Sequence, residues 1–135
     1  MIKDFEGLSL ECYFCPSDVL TIGYGHTGTD VYIGQRITEA EAESLLRSDL
    51  KYYEENVNRL ITRPLTQHEY DAIVSFTFNV GAGALEISTF RKRINSGESK
   101  RTCFLEEFPK WVNSGNQALA GLQRRRDAEI ALALN

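Results

Sequence analysis

Several features are scarce or missing in this chain of 135 residues, and each absence removes a class of function. No apolar run approaches the roughly 20 residues needed to span a bilayer, so a membrane-spanning role is not indicated. The N-terminus, Met1-Ile2-Lys3-Asp4, carries no apolar signal segment. That sets an expectation of synthesis in the cytoplasm without a signal peptide, with any export by another route. Positive charge is not in excess: the formal net charge is −4, so a nucleic-acid partner is not expected. Cysteine is sparse and odd in number (Cys12, Cys15 and Cys103), which argues against a disulfide framework. The Cys12-x-x-Cys15 spacing has no second pair beside it, and His26 and His68 lack ligand spacing, so no metal or other cofactor is expected. Repeats and low-complexity segments are also missing.

What is present reads as an ordinary globular chain, 42% hydrophobic and 25% charged, with length for one domain over 1–135. A short N-terminal helix ends at Glu6, followed by the helix-ending Gly7. A strand-like segment, a turn at Pro16-Ser17-Asp18 and a second strand, Val19-Leu20-Thr21-Ile22, make a hairpin. The tail Gly23-Tyr24-Gly25-His26 is too glycine-rich for regular structure and suggests backbone close to something bound. Thr29 to Gln35 reads as a third short strand or a loop.

Two capping boxes then open helices: Thr38 with Glu41, and Thr66 with Glu69. The first helix carries an apolar stripe at Ala42, Leu45, Leu46, Leu50, Tyr53, Val57 and Leu60 and is broken at Arg63-Pro64-Leu65. The second, Tyr70 to Val80, is apolar nearly all round, as a central core helix is, and Gly81-Ala82-Gly83 ends it. Further helices are expected from Ser88-Thr89 to Ile94, from about Arg101 to Trp111 with an irregularity at Pro109, and from about Gln123 to Leu134. Asn113-Ser114-Gly115-Asn116 reads as a loop. The pattern is mostly helical with a small N-terminal sheet, an α+β protein.

Glu6-Gly7-Leu8, a polar hairpin, then Thr21-Ile22-Gly23-Tyr24-Gly25-His26-Thr27 resembles the signature of the phage-type, T4-like lysozymes, a glycoside hydrolase family that cleaves peptidoglycan. The likeness continues through Pro64-Leu65-Thr66-Gln67, Tyr70-Asp71-Ala72, Phe78-Asn79-Val80-Gly81, Ser88-Thr89, Trp111 and Gly121 to Arg126, in family order over nearly the whole chain. The resemblance implies a lysozyme-like fold: a small N-terminal β-hairpin lobe and a larger helical lobe joined by the long helix, with the glycan cleft between. It implies a catalytic set of Glu6, Cys15 and Thr21, with Cys15 where the commoner pattern has Asp. It also implies inversion at the anomeric carbon, glycan contacts from Tyr24, His26, Phe78, Asn79 and Thr89, and pairing of Arg126 with the catalytic Glu. By the same likeness His26 braces the hairpin, and the protein is a monomer released to the cell wall through a separate pore.

The chemistry can be stated without the likeness. Glycoside hydrolysis needs an acid to protonate the leaving oxygen and a group to activate or hold the attacking water. Glu6 is the candidate acid, a role that requires a carboxyl kept protonated by apolar surroundings. A Glu at a helix C-terminus is already anomalous, because that end disfavours negative charge. Three readings are open for the second role. Cys15 serves as thiolate base or electrostatic stabiliser, Cys15 merely faces the cleft while Thr21 holds the water, or Asp18 supplies a carboxylate. Asp in such a turn also has a purely local bonding role. Cys12 reads as a packing residue, and its oxidation with Cys15 would remove a thiolate. Arg124-Arg125-Arg126 reads as a solvated basic helix start, disfavoured by the helix dipole and so suggestive of a partner. Two other functions compete: a lysozyme-fold domain that binds glycan without turnover, and a cysteine hydrolase pairing Cys15 with His26.

Overall fold

Helix formation along the chain follows the local signals closely. In the computed structural model, which describes residues 1–15, 18–113 and 119–135 (Leu119 by its backbone alone), α1 covers Ile2–Glu6, β1 Ser9–Phe14 and β2 Leu20–Gly23. The helices α2 (Glu39–Leu60), α3 (Gln67–Val80), α4 (Ala82–Ile87), α5 (Thr89–Asn95), α6 (Lys100–Glu107) and α7 (Leu119–Ala133) follow, with a 3-10 turn at Phe108–Lys110. Both capping boxes are formed. Thr38 Oγ1 accepts from the Glu41 amide at 3.1 Å while Glu41 accepts from the Thr38 amide, and Thr66 and Glu69 do the same. Ser88 caps α5 through the Arg91 amide at 3.1 Å.

The chain divides into two compact units. The first takes residues 1–51 and the second the described residues from Tyr52 onward, so α2 contributes to both. In the first unit β1 and β2 pair antiparallel, Ser9 opposite Gly23, Tyr13 opposite Thr21 and Phe14 opposite Leu20. The register slips between Ser9 and Tyr13, a bulge of the kind that re-aims strand side chains. The other edge of β1 is covered by the segment after the hairpin, with the Cys12 amide donating to Gln35 O at 3.0 Å and the Ile37 amide to Leu10 O at 2.9 Å.

The second unit is built on an aromatic cluster. Phe76, Phe90, Phe104 and Phe108 are fully buried. Phe76 and Phe108 stack at 4.3 Å, and Trp111 meets Phe76 edge-on at 5.5 Å. Helices α3 and α7 pack against each other through a polar seam described below.

Gly81 ends α3 as expected, with φ +99°, and a short helix not read from the sequence, α4, starts directly behind it around the buried Leu85. Two expectations are corrected. The helix expected to reach Trp111 stops at Glu107 and tightens to 3-10 at Pro109, because a proline nitrogen has no hydrogen to continue the α ladder. The last helix begins at Leu119, so the arginine run lies inside it and not at its start. Pro16 and Ser17 of the expected turn, and residues 114–116 of the expected loop, lie outside the described residues.

Because Phe108 touches Phe76, Phe90 and Phe104 at once, Phe108→Ala is expected to cost about 3–5 kcal/mol of stability. Urea unfolding of the two proteins side by side checks it.

Candidate active site

The hairpin and the short helix before it bring the first candidate residues together. Glu6 closes α1, and Gly7 turns the chain away with φ +69°. The half-buried Glu6 carboxylate lies over the backbone of Gly25: a Cβ placed on Gly25 would sit 2.5 Å from Glu6 Oε2. Gly25 also holds φ +72°, so both space and backbone conformation require glycine there. What lies close to this glycine of the tail is thus the protein's own Glu6 side chain.

Thr21 is 3% exposed and donates its hydroxyl to Val19 O at 2.9 Å. With that proton committed, Thr21 can only accept from a water. Tyr13 stands directly opposite Thr21, and directly opposed residues of an antiparallel pair share a face. Cys15 lies two residues beyond Tyr13 on the same run, its amide donating to Val19 O at 3.0 Å, so alternation gives it that face as well. The Tyr13 phenol has its pKa held above its ordinary value, first by burial, then by the nearby charge of Glu6 and then by Cys15. Tyr13 therefore sits within electrostatic reach of both candidate groups. Sequence reasoning missed it, although strand alternation from Thr21 and Cys15 was a usable signal.

Asp18 adopts a left-handed conformation, φ +61°, and its amide donates to Cys15 O at 2.8 Å. This is the local turn role of an Asp, which tolerates that region. No disulfide joins the three cysteines. Cys12 and Cys15 are three apart on an extended run, on opposite faces, with an α-carbon span of roughly 10 Å. A disulfide needs less than about 7 Å, so pairing them would require this segment to bend. Cys103 is fully buried in the second unit and its thiol pKa is pushed up chiefly by that burial, which fits packing and not reactivity.

His26 has both ring nitrogens committed: Nδ1 to Asp49 Oδ2 at 2.8 Å and Nε2 to Asp30 at 3.0 Å. Burial opposes charge on the ring, but the hydrogen bonds to Asp49 and Asp30 outweigh it and hold the pKa above its ordinary value. Both ring nitrogens are taken up by Asp49 and Asp30, so this arrangement lends no support to a Cys15–His26 hydrolase pairing. Its place is a brace, tying the turn after β2 to α2. Tyr24 is buried. Lys3 Nζ lies 5.2 Å from the centre of its ring, and its hydroxyl bonds Glu43, which also pairs with Lys3.

The other candidates belong to the second unit. Phe78 is buried against Tyr53, ring centres 5.1 Å apart. Asn79 Oδ1 accepts from Arg126 Nη2 at 2.8 Å, which leaves the amide hydrogens as donors. Asn79 lines a cavity of 160 Å³ with Val80, Trp111, Asn113 and Leu122. Thr89 is exposed in the first turn of α5, after the Ser88 cap.

Arg126 is 1% exposed and lies 5.0 Å over the Phe76 ring. Its Nε approaches Glu129 Oε1 to 2.9 Å as an ion pair, off the hydrogen-bond axis. Arg125 is also buried and donates to Ser75 O at 3.1 Å, while Ser75 Oγ donates to Glu129 Oε2 at 2.7 Å. The reading of this run as solvated holds only for Arg124. The buried Glu129 was not singled out from sequence. Burial pushes its pKa up, against the pull of Arg126, Ser75 and Arg125.

Comparison with known proteins gives a family and close relatives. The family model described as Phage lysozyme matches residues 3–129. The chain is 43% identical over 136 residues to the endolysin of Bacillus phage B103, covering 99% of this chain and 51% of that one. It is 43% identical to the endolysin of Acyrthosiphon pisum secondary endosymbiont phage 1, with 98% and 91% covered. Among solved structures, the muramidase domain of SpmX from Asticaccaulis excentricus superposes with TM-score 0.85 at 40% identity, covering 99% of this chain and 92% of that one. The chain thus spans about half the length of the Bacillus phage relative and nearly all of the other two.

Two predictions follow from the hairpin. Gly25→Ala must displace the Glu6 carboxylate, and is expected to cut any glycan-cleaving activity at least about a hundredfold while the protein stays folded; wall clearing alongside circular dichroism checks it. The His26 brace stabilises the fold fully below the ordinary imidazole value of 6.5 and loses that contribution as pH rises through the raised folded value. Asp30, held below its ordinary value chiefly by the hydrogen bond from His26, contributes above about 3.8 and loses its share as pH falls. Melting temperature should therefore peak between those limits, and Asp49→Asn should flatten its decline on the alkaline side.

Proposed function

The chain belongs to the phage lysozyme family, and from that premise we propose that it is an endolysin-type muramidase. Its reaction is hydrolysis of the β-1,4 bond between N-acetylmuramic acid and N-acetylglucosamine in bacterial peptidoglycan. The observation that carries this reading is the seating of Glu6 on Gly25, beside a hairpin face that bears Cys15 and Thr21.

Glu6 delivers its proton to the leaving oxygen as the bond from that oxygen to the anomeric carbon breaks. Water attacks the anomeric carbon from the other side, giving up one proton to Cys15 acting as thiolate. Thr21 holds the water as an acceptor, since its own proton is tied to Val19. A thiolate also offsets the positive charge that develops on the sugar, the work a carboxylate does in that place.

Asn79, its oxygen fixed by Arg126, offers its N–H groups to a sugar acetamide, beside Phe78 and with Thr89 as a further glycan contact. Arg126 acts through Asn79, and His26 and Tyr24 hold the shape of the hairpin region. The partner is the glycan strand of the cell wall, met by a monomer after release from the cell that made it.

The test is lysis of outer-membrane-permeabilised Gram-negative cells under reducing conditions by the natural protein and Glu6→Gln. The expected result is clearing by the first and a loss of about a hundred- to ten-thousand-fold in the second. If neither clears while both still pull down purified walls, the chain is a glycan-binding domain and the enzymatic reading falls.

A further inference from the structure

The hydroxyl groups on the two hairpin strands are Ser9, Tyr13 and Thr21. Ser9 donates to Glu11 O at 2.6 Å and Thr21 to Val19 O at 2.9 Å. The Tyr13 hydroxyl takes no hydrogen-bond partner among the described residues. It belongs to a side chain opposite Thr21, two residues from Cys15, in a position that feels the charge of both Glu6 and Cys15. A phenol near two groups of acidic character stays neutral and keeps its proton to donate.

Counting donors and acceptors on this face exposes a gap in the water-handling pair, an argument that rests on the muramidase reading. Thr21 can only accept from the attacking water, and a Cys15 thiolate can only accept. The water then gives both its hydrogens to protein, and nothing in that pair engages its oxygen. One lone pair must point at the anomeric carbon. The other is left to roam unless a donor fixes it, and a water held by two contacts can still turn about them. We propose that Tyr13 is a further catalytic residue, whose hydroxyl donates to the second lone pair of the attacking water and so aims the first at the anomeric carbon. The bond changes are those of the hydrolysis already given. Tyr13 gains and loses no proton, and its contribution is orientation, which acts on turnover more than on binding of the glycan.

Tyr13→Phe keeps the ring and removes only the donor. Initial rates of reducing-end release from purified peptidoglycan are measured over a range of wall concentrations for the natural protein, Tyr13→Phe, Cys15→Ala and the double variant, with Glu6→Gln as control. The expected result is a fall in kcat of about tenfold to a hundredfold in Tyr13→Phe with KM little changed and the melting temperature held. The loss should be smaller when Cys15 is already Ala, because the two groups then no longer share one water. A kcat within twofold of the natural protein overturns the proposal. So does a KM that rises while kcat holds, which would make Tyr13 a sugar contact. Undiminished activity of Glu6→Gln would instead overturn the muramidase reading itself, so the two failures are told apart.

Discussion

The arrangement around the hairpin depends on a carboxylate occupying the space where a side chain would stand. Glu6 lies against the bare backbone of Gly25, and no residue other than glycine leaves that volume empty while adopting φ +72°. The helix that carries Glu6 spans only Ile2–Glu6, far short of a length that is stable alone in water. Its position is set by tertiary contacts: Lys3 pairs with Glu43 on α2 and lies over Tyr24, whose hydroxyl engages the same Glu43. His26 ties the following turn to Asp49, also on α2. Glu6 is thus aligned by a frame of short polar contacts anchored on one long helix.

The second unit solves a different problem. Two arginines and a glutamate are taken out of water between α3 and α7, where a lone charge would cost several kcal/mol. The cost is offset in part: Ser75 reaches Glu129, Arg125 reaches the Ser75 carbonyl, and Arg126 pairs with Glu129 and donates to Asn79, while Arg126 Nε and Nη1 and Glu129 Oε1 make no hydrogen bond among the described residues. A wholly apolar seam would pack these helices as tightly. The polar one also fixes which way the Asn79 amide faces, because an arginine donor will meet only the oxygen.

In the mechanism proposed above, a thiolate at Cys15 does the work of a carboxylate, and that changes the demands on its neighbours. A carboxylate and a thiolate both accept, but sulfur is larger, softer and a weaker partner for a water hydrogen. Orientation of the water then leans more on the oxygen atoms nearby. The face shared by Thr21 and Tyr13 supplies one committed acceptor and one uncommitted donor.

What the sequence by itself determined was everything governed by neighbours along the chain. Thr38 with Glu41, Thr66 with Glu69, Ser88 and Gly81 announce helix ends because a side chain a few residues away satisfies, or a glycine relaxes, the terminal backbone groups. The hairpin was legible for the same reason, whereas the set of Glu6, Cys15 and Thr21 came only from a family resemblance. Only the tertiary structure decided matters that turn on distant partners. Helix α4 starts directly after Gly81 and takes in Gly83, because burial of Leu85 overrides their local preference. Arg125 and Arg126 read as solvated until Glu129, on the same helix, and Ser75, from another, are placed beside them. Tyr13 gained its meaning only when the bulged register set it opposite Thr21, since a shift of one residue would have turned it to the other face. Local rules see a few residues along a chain, whereas burial, register and charge pairing are fixed by groups the chain brings together only on folding.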